Sequence, residues 1–301
     1  MLSKVDIVIF HSPCMDGNAG AFVVWKWCEQ QNMPPPVLVG VRPGQSSYDF
    51  PDVTGKSVAI VDICFSREIM ESIAKQASEL VVLDHHKTSQ DNMAGLDYCI
   101  FSSDRSGCQM AWDYFFGETE RPRFIEFIGN RDLWNFSLPK TKEFSSAMFN
   151  RCQFERIEDA IDNMNSMFSW TDDDYKAFIE FGDICMEFEE KEVAQAVKYA
   201  TKCKFHLPNS SKYYTVQVSD SRNYRSEIGS RLASMEGIDF AVIYNYNIRR
   251  DEWWISLRAS AQSGTDLTKI TKFFPGGGGH KLAAGFTLHR PLTTLLEPIY
   301  D

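Results

Sequence analysis

Three imidazoles and three carboxylates stand at the ends of short apolar runs in this sequence. His11 follows VDIVIF (5–10), with Asp16 shortly after it; Asp62 follows SVAIV (57–61); Asp84, His85 and His86 follow LVVL (80–83). An aspartate after a strand is usually a turn or helix-cap residue. Three strand ends with the same donor chemistry, holding half of the chain's six histidines, set that reading aside. Carboxylates with a few imidazoles and no thiolate cluster suit Mn²⁺ or Mg²⁺ better than structural zinc. Two such ions sharing a carboxylate are suited to attack on phosphate esters, because together they lower the pKa of a bound water and offset charge on the phosphorus oxygens. The eight cysteines contain no CxxC pair, which argues against a zinc ribbon and a small disulfide scaffold.

Side chains at strand ends need strands to hold them. The runs at 5–10, 37–41, 57–61 and 80–83 are short, apolar and β-branched, and helical patterns separate most of them (GNAGAFVVWKWCEQQ; SREIMESIAKQASE with Ser66 as N-cap). This alternation predicts an α/β fold: a parallel sheet with helices on both faces, whose ligands collect at the carboxyl ends of the strands. Helical stretches follow at 107–116, 123–131, 155–168 and from Asp172 to about Lys202. Beyond FHLPNSSKYY the pattern becomes a smaller mixed α/β unit: TVQVS, a helix near 226–235, FAVIYNYNI, EWWISLRAS, a short helix near 266–273 and AAGFTL. The expected organisation is a first domain over 1–150, a helical connector over 151–204 and a second domain over 205–301.

Length and composition, 301 residues with 44% hydrophobic content, allow a full core. No run approaches the roughly 20 apolar residues of a membrane span, so the expected location is cytoplasmic with no membrane partner. The net charge of −10 is unsuited to tracking along a long polyanion. Charge is uneven, however: 155–192 holds 13 acids against 3 bases, and 201–290 holds 13 Lys/Arg against 7 acids. The second domain is therefore the expected grip on an anion, and the acidic helical stretch is a spacer or a candidate dimerisation element.

The stretches HSPCMDG, VDICF, LDHHKT, DRSGCQMAW and NRDLW, in that order, resemble the motifs of the DHH phosphoesterases. SLRAS followed by FFPGGGGHKLAAGF resembles their C-terminal DHHA1 substrate-binding domain, so the resemblance spans about 5 to 290. It implies a two-metal site in a DHH catalytic domain, with two Mn²⁺ ions, or Mg²⁺, as cofactors. His11 would then ligate the first metal, Asp16 and His85 the second, and Asp62 both. Asp84 would orient the histidine pair and His86 would face the scissile phosphate. Asp132 would complete the ligand set; its competitor, Asp104, lies just before a helix and reads as a cap. Many members have Asp-x-Asp in the first motif where this chain has Cys14-x-Asp16, which leaves the first metal one carboxylate short. Whether Cys14 coordinates or is a packed thiol stays open.

In the second domain, Gly277, Gly278, Gly279 and His280 of the glycine run would approach a phosphate or sugar. Arg258 would pair with a terminal phosphate, and Arg222, Arg225 and Arg231 could extend that site. Trp134 reads as a core tryptophan, with base stacking the alternative. The family includes nanoRNases, RecJ-type exonucleases, cyclic-dinucleotide phosphodiesterases and phosphatases of 3′-phosphoadenosine 5′-phosphate. The charge balance and the lack of an OB-fold-like module favour a substrate a few nucleotides long, a short oligonucleotide or dinucleotide rather than a long duplex. The other activities, and a non-catalytic nucleotide sensor, remain alternatives.

Overall fold

The computed structural model describes residues 1–43, 49–152, 154 and 156–300. The chain divides into two compact units, Met1–Met186 and Glu187–Asp301. In the first, the elements run β1 (Ile7–His11), α1 (Met15–Gln30), β2 (Val37–Val41), β3 (Ser57–Val61), α2 (Arg67–Gln76), β4 (Glu79–Asp84), α3 (Lys87–Asn92) and β5 (Cys99–Phe101). Then come α4 (Gly107–Phe116), α5 (Arg123–Asp132), α6 (Thr141–Arg151) and α7 (Ile157–Met167), and the division falls within the long helix α8 (Asp172–Lys198). The helix expected from 155 starts on a residue outside the described ones; its described part is α7.

Strands β2-β1-β3-β4-β5 form one sheet, every pairing parallel. Both faces are covered, as the continuous apolar strands require. Val8, Phe10, Ala59, Val61, Val81 and Leu83 join the core under α1, α4 and α5. Ile7, Ile9, Val58, Ile60 and Val82 join the opposite core with Met70 and Ile73 of α2. Burial of each of the larger side chains contributes about 1.5–3 kcal/mol. The chain leaves β1 toward β2 on one side and returns to β3 on the other, so the order of connection reverses between β1 and β3. That switch point opens a crevice at the carboxyl ends of the strands.

In the second unit, β6 (Thr201–His206), β7 (Tyr213–Asp220), α9 (Arg225–Ala233), β8 (Phe240–Asn247), β9 (Glu252–Arg258), α10 (Leu267–Thr271), β10 (Gly278–Gly279), β11 (Ala283–Leu288) and β12 (Leu296–Pro298) follow in order. They build a seven-stranded sheet, β10-β11-β9-β8-β7-β6-β12, antiparallel except for β7 with β8. Strand β6 corrects the expectation that helix runs to Lys202. Only Cys203 and Phe205 of TKCKFH are buried, so the period-two signal is two residues deep and its lysines read as the end of a charged helix. Among the described residues no helix is long and apolar enough to cross a membrane.

Candidate active site

Register brings the strand-end residues together. Phe10 pairs with Val61 and Val61 with Leu83, so the residues that follow, His11, Asp62 and Asp84, reach the same end of the sheet. The Asp62 amide donates to the carbonyl of Leu83 at 2.9 Å. Its φ of 60° is left-handed, a conformation that aspartate and asparagine tolerate better than other side chains and that clusters at functional sites. Asp62 is buried, and its two oxygens face different partners: Oδ2 lies 3.2 Å from His11 Nδ1, and Oδ1 lies 3.2 Å from His85 Nε2. His85 Nε2 also lies 3.2 Å from Asp132 Oδ2. Two groups of ligand-type atoms result, each within 4.8 Å: His11 with Cys14 and Asp62, and Asp16 with His85 and Asp132. Asp62, Asp84, His85 and His86 form a third group at the same range.

Asp84 is fully buried and its Oδ1 does three things. It accepts from the amides of His85 (2.8 Å) and His86 (3.2 Å), and it lies 2.7 Å from His86 Nδ1. The side-chain contact is thus with His86, whereas His85 is fixed through its backbone. A proton held on His86 Nδ1 by this carboxylate fixes the tautomer and leaves Nε2 for a ligand.

Asp16 is set by a device the sequence reading missed. It accepts from Ser106 Oγ (2.6 Å) and the amides of Gly107 (2.6 Å) and Cys108 (3.1 Å), so the carboxylate sits on the N-terminus of α4, where amides are unpaired and the helix dipole favours negative charge. Gly107 is required by space: a Cβ there would meet Asp62 Cβ at 2.6 Å and Asp16 Oδ2 at 2.9 Å. Gly17 has a similar role on α1, where a Cβ would fall 2.1 Å from the His11 carbonyl. The signal lay in DRSGCQM, a Ser-Gly pair at a helix start, but nothing local says that a distant aspartate occupies that start. Ser106 is the N-cap of α4. This corrects the reading of Asp104 as cap: Asp104 is exposed, bonded to Ser102 and Ser103, and belongs to no such donor group among the described residues.

Charge is concentrated here. Burial works against an ionised Asp62, but His11 and His85 hold its carboxyl far below the ordinary value. Asp84 is likewise held down at about 2 against its burial, by His86 and His85. Burial works against charged imidazoles, yet Asp132, Asp62 and Asp16 raise His85 to about 10, Asp62 raises His11 and Asp84 raises His86. Asp16 is pushed up by burial and by Asp62. Asp132 is pushed up by burial and by Asp16, although about a quarter of its side chain (26%) is exposed and solvent relieves part of that crowding. Asp132 is also the last residue of α5, where the helix dipole disfavours an anion. Carboxylates gathered against such costs fit a divalent cation, and the oxygen and imidazole donors of Asp16, His85 and Asp132 fit Mn²⁺ or Mg²⁺.

Trp134 is not a core residue: it is 38% exposed, and both it and Phe136 have left-handed backbone (φ 56° and 48°). The Arg131 guanidinium lies 4.4 Å from the Trp134 ring centroid, 5.8 Å from Phe136 and 5.7 Å from the exposed Phe149. In the second unit, Arg258 ends β9 with Nη2 donating to Ser226 Oγ at 2.9 Å and its stem packed over Gly229. Gly277 abuts the Thr271 carbonyl, and Gly279, at φ 130°, abuts Ala283 and Ala284, so internal packing already requires both glycines. Gly278 pairs with Gly285, and the His280 amide donates to the Ala283 carbonyl at 2.7 Å. Arg231 is engaged by both oxygens of Glu190 at 2.7 Å. Arg225 opens α9, and Arg222 lies in the loop before it.

Fold and site together define a mixed α/β protein with an acidic, imidazole-rich centre at a topological switch point. The chain is similar to Uncharacterized protein R106 of Acanthamoeba polyphaga mimivirus, 28% identical over 295 residues that cover 94% of this chain and 67% of that protein. Among solved structures it is similar to the pGpG-specific phosphodiesterase PggH of Vibrio cholerae, with 13% identity, 94% of this chain and 93% of that one covered, and a TM-score of 0.45. RecJ of Thermus thermophilus in complex with Mn²⁺ gives 14% identity, 95% and 49% coverage, and a TM-score of 0.47. No protein-family model matches the chain.

Proposed function

We propose that this chain is a divalent-metal-dependent phosphodiesterase that hydrolyses short oligonucleotides to nucleoside monophosphates. The observation that carries the reading is Asp62, whose buried carboxylate turns one oxygen to His11 and the other to His85. That is the disposition of a carboxylate shared between two adjacent cations. His11 and Asp62 would hold one ion, and Asp16, His85 and Asp132, with Asp62, the other. When bound, such ions supply Lewis acidity, making hydroxide available near neutral pH and offsetting charge on the phosphorus oxygens.

The remaining chemistry belongs to the chain. His86 donates Nδ1–H to Asp84, which raises its pKa, so it can carry a second proton at Nε2 and donate it to a phosphate oxygen or leaving group. Asp16, anchored on α4, keeps its place without needing a metal to order it. Beside Asp132, the exposed Trp134 with Arg131 over its face offers a surface for a nucleobase and a cation for the adjoining phosphate. Arg258 in the second unit is a grip for a terminal phosphate. A net charge of −10 favours a short substrate over a long strand.

The test is hydrolysis, with Mn²⁺ and separately with Mg²⁺, of a linear diribonucleotide, a 24-mer RNA, a cyclic dinucleotide and 3′-phosphoadenosine 5′-phosphate. The expected result is rapid conversion of the dinucleotide to mononucleotides with the 24-mer spared. Faster cleavage of the cyclic dinucleotide or of 3′-phosphoadenosine 5′-phosphate would replace the substrate assignment. Nucleotide binding without turnover in either metal would replace it with a sensor.

A further inference from the structure

Cys14 occupies the N-cap position of α1, with extended backbone (φ −140°, ψ 138°). That position usually carries Ser, Thr, Asp or Asn, whose side-chain oxygen accepts from the first helical amides. The Cys14 side chain makes no capping hydrogen bond. Its sulfur instead lies with His11 Nδ1 or Nε2 and an Asp62 oxygen, the three ligand-type atoms within 4.8 Å of one another. A packed thiol has apolar neighbours; this one shares its surroundings with an imidazole and a buried carboxylate. Of the eight cysteines it is the one that joins such a group among the described residues. The contact of Gly17 with the His11 carbonyl holds the first turn of α1 against the end of β1, which brings position 14 back over the strand end.

The two donor groups therefore differ in kind. His11, Cys14 and Asp62 offer nitrogen, sulfur and one shared oxygen donor. Asp16, His85 and Asp132 offer one nitrogen and carboxylate oxygens. Thiolate and imidazole select zinc-like ions, whereas carboxylates suit manganese and magnesium. Resting on the two-metal reading above, we propose that Cys14 is a thiolate ligand and that the centre is heterometallic. A thiophilic ion such as Zn²⁺ occupies the His11–Cys14–Asp62 position, and Mn²⁺ or Mg²⁺ the Asp16–His85–Asp132 position. Coordination exchanges the S–H bond for a metal–sulfur bond and passes the thiol proton to solvent, with no change of oxidation state.

The test uses the full chain, stripped with a chelator and titrated with Co²⁺ as a spectroscopic stand-in for Zn²⁺. The expected result is a thiolate-to-cobalt charge-transfer band in the near ultraviolet that reaches its maximum with the first equivalent. Dialysis against Zn²⁺ and Mn²⁺ together is expected to leave one of each per chain by elemental analysis. Cys14→Ser should lose the band and weaken Zn²⁺ binding by at least about tenfold while keeping the Mn²⁺. Cys14→Asp should lose the band and take Mn²⁺ at both positions. Two bound Co²⁺ ions with no charge-transfer band in the unsubstituted chain would overturn the role of Cys14 and leave the two-metal reading standing. A band that persists in Cys14→Ser would do the same. Failure of the unsubstituted chain to bind any of these ions would overturn both.

Discussion

Asp62 joins the two halves of the centre through one side chain, and its backbone is part of how it does so. A left-handed residue other than glycine costs about 1–2 kcal/mol, least for aspartate and asparagine. Asp62→Asn therefore keeps size and backbone preference while removing the charge that faces His11 and His85. Turnover is expected to fall by about 10²–10³-fold or more, with the far-ultraviolet circular dichroism unchanged; activity persisting in metal-loaded Asp62→Asn would refute the bridging role. Asp84 acts one step back, on His86 Nδ1. Asp84→Asn should cost about 10–100-fold and shift the limb of the pH–rate profile that belongs to His86 to lower pH, because the carboxylate that raises its pKa is gone. A uniform loss at all pH values would mark Asp84 as merely structural.

Helix α4 contributes to the centre as an element, through its first turn. Ser106, Gly107 and Cys108 hold Asp16, and the missing Cβ at 107 makes room for Asp62. Gly107→Ala puts a carbon 2.6 Å from Asp62 Cβ, an overpacking expected to cost about 1–3 kcal/mol. Because the strain falls on two carboxylates of the proposed metal centre, metal affinity, read by isothermal titration, should drop more than the thermal midpoint of the metal-free chain. The reverse ordering would mean that α4 only packs. This also marks what could be read in the sequence. Strand ends were legible because β1, β3 and β4 are continuous apolar runs that stop at His11, Asp62 and Asp84. The seat of Asp16 was not, since it joins residues 90 positions apart. Nor was the exposure of Trp134, which depends on a left-handed turn after α5, nor β6, whose apolar face is two residues.

At the scale of the whole molecule, the first unit gathers buried carboxylates and imidazoles at one end of its sheet, and its stability should follow pH accordingly. Asp62 and Asp84 have folded pKa values below the ordinary carboxylate value. Their contribution is thus present above about pH 4 and is lost on acidification, for Asp84 through about 2. His85 has a folded pKa raised to about 10, so its contribution is full below about 6.5 and is lost as pH rises through 10. The raised values of His11, His86, Asp16 and Asp132 act in the same direction as His85. Because Asp16 and Asp132 begin to lose their contribution from about pH 4 upward and the imidazoles from about 6.5, metal-free protein should be most stable near pH 4, with a thermal midpoint that falls as pH rises toward 10 by on the order of a few degrees per pH unit. Divalent ions displace these same protons, so their affinity rises with pH, and the stabilisation they give rises with it. Calorimetry in chelator and in excess Mn²⁺ should show two curves that diverge as pH increases. Curves that converge would mean that the imidazoles and carboxylates at the strand ends are balanced by one another rather than built to hold metal.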